Sequence, residues 1–146
     1  MTERRKPNPD PFDLARKASG QVRKLLEAGV LSPRIGIMGF DQGGAAALAA
    51  SALLRDPDLS YVVLAGCGLD DRFQRFATQL ADRMTGRILH LWEKTDQQAE
   101  SCQFAFAKAK TLESDEKLLS NVGGHEMFGE ADPFWMDLVM AFLDRR

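Results

Sequence analysis

Four short apolar runs, each next to a segment with helical character, restrict the fold of this chain more than any other feature. The runs cover residues 34–40, 61–67, 88–93 and, more weakly, 117–122. Helices are predicted from Asp10-Pro11 to a stop at Gly29, over 43–54, 71–84 and 97–112, and from Asp132-Pro133 onward. Apolar strands that alternate with helices are typical of a parallel sheet covered on both faces. We therefore predict a three-layer α/β/α sandwich around a short, mostly parallel four-stranded sheet.

Size and charge narrow the class of protein. The 146 residues, 45% hydrophobic and 27% charged, suit a single globular domain, which we expect at 10–146. A formal net charge of −2 gives no electrostatic reason to expect nucleic-acid binding. No apolar run approaches the roughly 20 residues that span a bilayer, so no membrane segment is expected. Residues 1–9 lack the apolar core of a secretory signal and are predicted to form a disordered tail.

The cysteines are few and do not suggest a disulfide framework. Cys67 ends a predicted strand, and Cys102 lies 35 residues later inside a predicted helix. We expect Cys67 to be a small buried side chain rather than a reactive thiol. A cytoplasmic protein without a metal or cofactor is the resulting expectation.

The turn at residues 39–44 carries the strongest functional signal. It reads Gly-Phe-Asp-Gln-Gly-Gly between a predicted strand and a predicted helix, so that Gly39 and Gly43 flank Asp41 at two residues on either side. This is the G-x-S-x-G nucleophile elbow with aspartate in the serine position. Side chains at the flanking positions are expected to clash in so sharp a turn. The turn also places residue 41 at the positive end of a helix.

The hexapeptide resembles GFSQGG, the elbow of the carboxylesterase and acyl-protein thioesterase family of α/β-hydrolases. Two later loops agree with that resemblance, because Lys94-Thr95-Asp96 follows a strand and Val122-Gly123-Gly124-His125 precedes the last helix. The resemblance implies that Asp41, Asp96 and His125 correspond to nucleophile, acid and base. It covers about residues 11–146 and corresponds to the C-terminal half of the family's fold.

The chain departs from the family in two ways. Aspartate replaces serine, and the family's N-terminal strands have no counterpart in the sequence. One oxyanion-hole N–H of the family comes from a loop after an early strand, which leaves the amide of Gln42 as the donor expected here. Losing one such donor typically costs on the order of 100- to 1,000-fold in rate.

Aspartate at an elbow has two interpretations. Haloalkane dehalogenases and epoxide hydrolases use it as a nucleophile toward sp³ carbon, but they carry a cap domain, and 68–87 holds no such insertion. Alternatively, Asp41 is only the N-cap of the following helix, which we favour over a nucleophile. Asp96 is equally an N-cap candidate, and His125 could be a surface-loop histidine. Asp70 is a rival acid position.

Three further side chains are expected to be structural. His90 lies within an apolar strand and is interpreted as a core histidine. Trp92 and Trp135 are expected in the core as well.

Without the N-terminal strands, the strand from Arg34 to Phe40 would have one neighbour and one open edge. Such an edge recruits another strand, and this one contains no proline and only one charge. We predict a homodimer through this edge, or a second chain that supplies the missing strands.

Three functions remain open. The first is a hydrolase-fold protein with weak or no ester hydrolysis that acts as a binding or assembly module. The second is an active hydrolase of a small ester, thioester, halide or epoxide that uses Asp41, His125 and Asp96. A flavodoxin-like nucleotide-binding module is weaker, because the turn lacks G-x-G-x-x-G spacing.

Overall fold

The computed structural model describes residues 10–68, 71–120 and 123–145, and within them the sheet is entirely parallel. Its four strands are β1 (Gly36–Phe40), β2 (Ser60–Leu64), β3 (Thr85–Glu93) and β4 (Thr111–Leu119), and they lie in the order β1-β2-β3-β4. The register aligns Phe40 with Leu64 and Leu64 with Leu91. The carboxyl ends of the first three strands therefore meet at one end of the sheet, where loops gather functional side chains in such folds.

Helices cover both faces of the sheet, which confirms the predicted three-layer sandwich. They are α1 (Pro11–Glu27), α2 (Gln42–Leu54), α3 (Asp71–Leu80), α4 (Gln103–Phe106) and α5 (Pro133–Asp144). Alternate residues of β2 point to opposite faces. Tyr61 and Val63 pack in a core with α1, α2 and α3, whereas Val62 and Leu64 pack with α5.

The longer helices follow their local sequence signals. Asp10 accepts a hydrogen bond from Phe12 N at 2.8 Å at the start of α1, and Asp132 accepts one from Phe134 N at 2.8 Å at the start of α5. Gly29 follows α1 with a φ of +93°, as expected for a helix stop. The alanine-rich α2 is buried along 44–52 because it lies between α1 and the sheet.

Two segments differ from the sequence prediction. Of the helix expected at 97–112, only the single turn of α4 is helical. The fourth strand begins at Thr111 rather than at 117. The strand was underestimated because 111–117 is mostly polar. Since β4 lies at the edge of the sheet formed by the described strands, its polar side chains can face solvent.

Cys67 is buried as expected, but the cysteines do form a disulfide, which the sequence did not suggest. Cys67 and Cys102 are both buried and form a disulfide, with sulfur atoms 2.01 Å apart and Cα atoms 5.4 Å apart. The bond joins the loop after β2 to the segment before α4. The same two segments also approach closely at Gly68, where a Cβ would lie 2.0 Å from the carbonyl oxygen of Gln98. The cysteines therefore lend no support to the cytoplasmic assignment, which stays a prediction.

Among the described residues, no helix is both long enough and apolar enough to cross a membrane. The tail at 1–9 lies outside the described residues, as do Asp70 and Val122. The assignment of 10–146 to one domain likewise stays a prediction.

Removing the disulfide should lower stability. The cysteines are 35 residues apart, and closing a loop of that length restricts the unfolded chain by about 3–4 kcal/mol. We expect Cys67→Ala with Cys102→Ala to lower the free energy of unfolding by that order in urea titrations. A reductant should destabilise the wild type to a similar degree and leave the double variant unchanged. Equal stability of the oxidised and reduced wild type would contradict a structural role for the bond.

Candidate active site

The turn between β1 and α2 has the sharp geometry of an elbow. Asp41 adopts φ 56° and ψ −114°, a conformation that costs on the order of 1–3 kcal/mol for a residue other than glycine. Its amide donates to the carbonyl of Leu64 at 2.9 Å, and its own carbonyl accepts from Ala45 N at 3.1 Å. These two backbone hydrogen bonds tie the turn to the neighbouring strand on one side and to the helix on the other.

The side chain of Asp41 forms no capping hydrogen bond with α2. The cap-only interpretation that we favoured from the sequence was therefore wrong. The backbone has a positive φ there, and 41% of the side chain is exposed. Its position is accounted for by the strained turn and not by a local cap.

Glycine is required at only some positions of the turn. A Cβ on Gly39 would lie 2.0 Å from the carbonyl oxygen of Gly43, and one on Gly44 would lie 2.9 Å from Cγ1 of Val63. A Cβ on Gly43 would meet nothing within 4 Å. The expectation that a side chain at Gly43 would clash was therefore wrong. Gly43 approaches Gly39 through its carbonyl group, and the position where its own Cβ would lie is open.

Asp96 is held at the carboxyl end of β3 in a loop that its neighbours fix. The buried carboxylate of Glu93, at the end of the strand, accepts from Thr95 N at 2.7 Å and also from the Thr95 hydroxyl. Asp96 accepts from Gln98 N at 2.8 Å through Oδ1, which leaves Oδ2 to contact His125 Nδ1 at 2.7 Å. Asp96 thus acts as a local turn cap and as a partner of the histidine at once.

His125 connects the two aspartates. It lies in a 3₁₀ turn at Gly124–Gly129 before α5, and its Nε2 is 3.6 Å from Oδ1 of Asp41. The ring of Phe40 packs against the imidazole with centroids 4.7 Å apart, and the side chain is 14% exposed. It is therefore not a free surface-loop histidine. The structure brings Asp41, His125 and Asp96 into one row, in the order that the sequence resemblance implies.

The amide of Gln42 lies next to Asp41 and opens α2. The first amides of a helix have no acceptor within the helix, so this N–H can face a negative oxygen at the elbow. The same geometry that strains Asp41 therefore places a hydrogen-bond donor beside it.

A second polar cluster lies deep in the sheet around His90, which was expected to be a core histidine and is fully buried. The register of β3 and β4 pairs it with Glu116, and Nδ1 lies 2.7 Å from Oε2 of that carboxylate. Gly66 N donates to Nε2 at 3.2 Å, so Nδ1 carries the proton. Trp92 stacks on the ring with centroids 4.6 Å apart.

Glu116 is a structural acid that sequence reasoning missed. It accepts hydrogen bonds from His90 Nδ1, Ser101 Oγ, the Cys102 amide and Gln103 Nε2. Burial alone would raise the pKa of this carboxyl, but these hydrogen bonds outweigh burial and lower the pKa to about 2. The acidic run that contains Glu116 gave no signal, because such a run is ordinarily solvated.

The same cluster brings together ligand types that metals use. One donor atom each of His90, Cys102 and Glu116 lies within 4.8 Å of the others. The Cys102 sulfur is bonded to Cys67, and both ring nitrogens of His90 already have hydrogen-bond partners. The polar groups of this cluster have hydrogen-bond partners within the protein, and Glu116 holds residues 101–103 against β4. The expectation of no metal and no cofactor stays a prediction.

Comparisons with known proteins show the fold. Neither a scan against family models nor a search of curated proteins matches this sequence. Arabidopsis thaliana SOBER1 superposes with a TM-score of 0.68 at 15% identity, over 96% of this chain and 67% of that one. Acetyl xylan esterase 1 from Thermoanaerobacterium sp. JW/SL YS485 gives 0.61 at 20% identity, over 95% and 58%. An esterase/lipase from an uncultured bacterium gives 0.59 at 16%, over 89% and 58%. The chain therefore has the α/β-hydrolase fold and spans about three fifths to two thirds of these proteins.

The geometry of the elbow predicts that alanine substitution lowers stability much more at Gly39 than at Gly43. Gly39→Ala places a methyl group 2.0 Å from backbone and should lower the free energy of unfolding by roughly 1–3 kcal/mol or more. The matched Gly43→Ala meets open space inside a helix and should change stability by less than about 1 kcal/mol. Thermal unfolding of both variants measures the difference. Equal effects would contradict the close approach at Gly39.

Glu116 predicts a pH dependence with a defined sign. Because its pKa in the folded state lies below the ordinary 4.5, the carboxylate stabilises the protein above that pH. That stabilisation is lost as the pH falls toward about 2. Glu116→Gln should therefore flatten the loss of stability in acid, measured by urea unfolding at a series of pH values. Glu113→Gln, at an exposed acid on the same strand, should leave the profile unchanged, and equal profiles for both variants would contradict the assignment.

Proposed function

We propose that this chain is a hydrolase-fold protein with weak or no ester hydrolysis that acts as a binding or assembly module. The observation that carries the proposal is the carboxylate of Asp41 at the apex of the elbow, where the nucleophilic hydroxyl of an esterase would stand. The fold and the order of the three polar residues support descent from esterase-like proteins. The chemistry of the central residue argues against efficient ester cleavage.

A carboxylate cannot follow the serine route. A serine hydroxyl gives its proton to the histidine as it attacks, and the histidine later passes that proton to the leaving alkoxide. Asp41 as a carboxylate has no proton to transfer. Its attack on an ester carbonyl would form a mixed anhydride and expel an alkoxide, which is a better nucleophile than the group that displaced it. The reaction would then run backward faster than forward.

The surroundings of the elbow weaken ester cleavage further. The amide of Gln42 can serve as one oxyanion donor, but the described residues offer no counterpart to the loop that supplies the second donor in the full fold. The carboxylate of Asp41 is also 41% exposed. Water that solvates a carboxylate lowers its reactivity as a nucleophile.

A second candidate function, hydrolysis at sp³ carbon, is favoured by one specific observation. The Asp41 carboxylate is free of a capping role and lies 3.6 Å from Nε2 of His125, which Asp96 orients. An oxygen of Asp41 would attack a carbon bearing a halide or an epoxide oxygen, and the carbon–leaving group bond would break with its electron pair. His125 would then take a proton from water, and the resulting hydroxide would attack the carbonyl carbon of the Asp41 ester. The tetrahedral intermediate then expels the alkoxide, which takes the proton from His125 and leaves as the alcohol. The acid left on Asp41 loses its proton to solvent, which restores the carboxylate.

Restoring the serine tests the first function. We expect the wild type to hydrolyse short p-nitrophenyl esters no faster than background. Asp41→Ser should raise turnover about tenfold or more, limited by the missing oxyanion donor. Asp41→Asn is the matched control without a nucleophile, and adding His125→Ala to Asp41→Ser should abolish the gain.

Isotope labelling distinguishes the second function. A single turnover of a small alkyl halide or epoxide in H₂¹⁸O would place ¹⁸O in Asp41, detectable in the mass of the peptide that contains it. Wild-type turnover with such a label, lost in both Asp41→Asn and His125→Ala, would overturn the non-catalytic proposal and establish an aspartate nucleophile.

A further inference from the structure

The outer edge of β1 has unpaired backbone at alternate residues. Ser60 N donates to the carbonyl of Ile35, and Asp41 N donates to Leu64 O. The backbone N–H and C=O groups of the odd-numbered residues of this strand therefore point toward β2. By the alternation of a parallel ladder, the N–H and C=O groups of Gly36, Met38 and Phe40 point away from the sheet. β1 is the first strand in the sheet order, and no described strand covers these groups.

The surface around this edge is apolar. Met38 is 59% exposed and Phe40 39% exposed, and beside them a groove of about 330 Å³ runs between β1 and α5. Met140, 50% exposed, lines the groove from the helix side, and Arg34 is the one charged residue among the described residues that line it. The opposite edge differs, because β4 carries Glu, Asp and Lys side chains of the kind that protect edge strands from pairing.

We propose that a second copy of this chain pairs antiparallel with β1 across a two-fold axis at Met38, giving a continuous eight-stranded sheet. This register sets Met38 opposite the partner's Met38 and Gly36 opposite the partner's Phe40. It uses all the outward backbone groups of the strand, in about six hydrogen bonds. Registers centred elsewhere leave some of these groups unpaired. The inference does not depend on whether Asp41 is catalytic.

Charge complementarity favours a second copy over other occupants of the edge. In an antiparallel pairing centred on residue 38, the ladder ends with Phe40 opposite the partner's Gly36, so the partner's Arg34, two residues before that glycine, lies at the same end of the seam as Asp41. Both Arg34 and the carboxylate of Asp41 are exposed in the single chain. The guanidinium of Arg34 would thus meet the carboxylate at the elbow, twice per dimer because of the symmetry. Each site would gain a guanidinium donor, whereas the ion contact of Asp41 within the described part of its own chain is with His125.

Solution mass and paired surface variants test the interface. We expect twice the chain mass by light scattering at micromolar concentration. Met38→Lys should shift the population to monomer, whereas Leu118→Lys, at an equally exposed residue of β4, should not. Arg34→Glu should weaken association by about tenfold or more, since it would face the partner's Asp41. Association unaffected by Met38→Lys would overturn the proposal.

Engineered cysteines test the register, because the native pair is already joined. Met38→Cys should form an intermolecular disulfide under mild oxidation, since directly opposed residues in such a pair have Cα atoms about 5.5 Å apart. Gly36→Cys and Phe40→Cys should cross-link when the two variants are mixed and not when each is alone. A Cβ at Gly36 meets only ordinary contacts at 3.6 Å, so that variant should fold. A monomeric wild type, or cross-linking in another pattern, would overturn the proposal and leave the edge to strands from elsewhere.

Discussion

The strained backbone of Asp41 is the constraint on which the rest of the site depends. The turn can form only because Gly39 lets the backbone of Gly43 approach, and it is held by the hydrogen bond from Asp41 N to Leu64. With the helix fixed at that angle, residue 41 points to the end of the sheet where the loop after β3 and the loop before α5 converge. These two loops carry Asp96 and His125, so that the imidazole of His125 lies between the two aspartates.

Placing an acid at that apex changes what the arrangement can do. An imidazole with carboxylates at 2.7 Å and 3.6 Å is held from both sides. A serine site stores a transferable proton between nucleophile and base, whereas this site has two negative groups that compete for the same ring. Under the proposed function, the row of Asp41, His125 and Asp96 is kept while ester cleavage is weakened. The exposed carboxylate is then available to bind a cation, and the partner's Arg34 is the one that the proposed dimer supplies.

The sequence anticipated the parts of the fold that local signals encode. The glycine spacing around Asp41 predicted the elbow, and helix caps at Asp10 and Asp132 predicted two helix starts. Chain order and the family resemblance brought Asp96 and His125 forward as candidates. These features depend on residues close in sequence or on the right-handed order of a parallel sheet.

Features that depend on neighbours distant in sequence were not predictable. The polar β4 is a strand because β3 lies beside it, and the pairing of His90 with Glu116 follows from the register of those two strands. Cys67 and Cys102 meet only once the loops after β2 and β3 are folded against each other. The idea of Asp41 as a simple cap failed because propensity describes a residue in a relaxed turn, and this turn is strained.

A crystal structure at a resolution that fixes side-chain positions would test the central claim most directly. We expect a positive φ at Asp41, a carboxylate oxygen near 3.6 Å from Nε2 of His125, and Asp96 on the other side of the ring. A relaxed turn in which the Asp41 carboxylate caps α2, with the imidazole turned away, would contradict it.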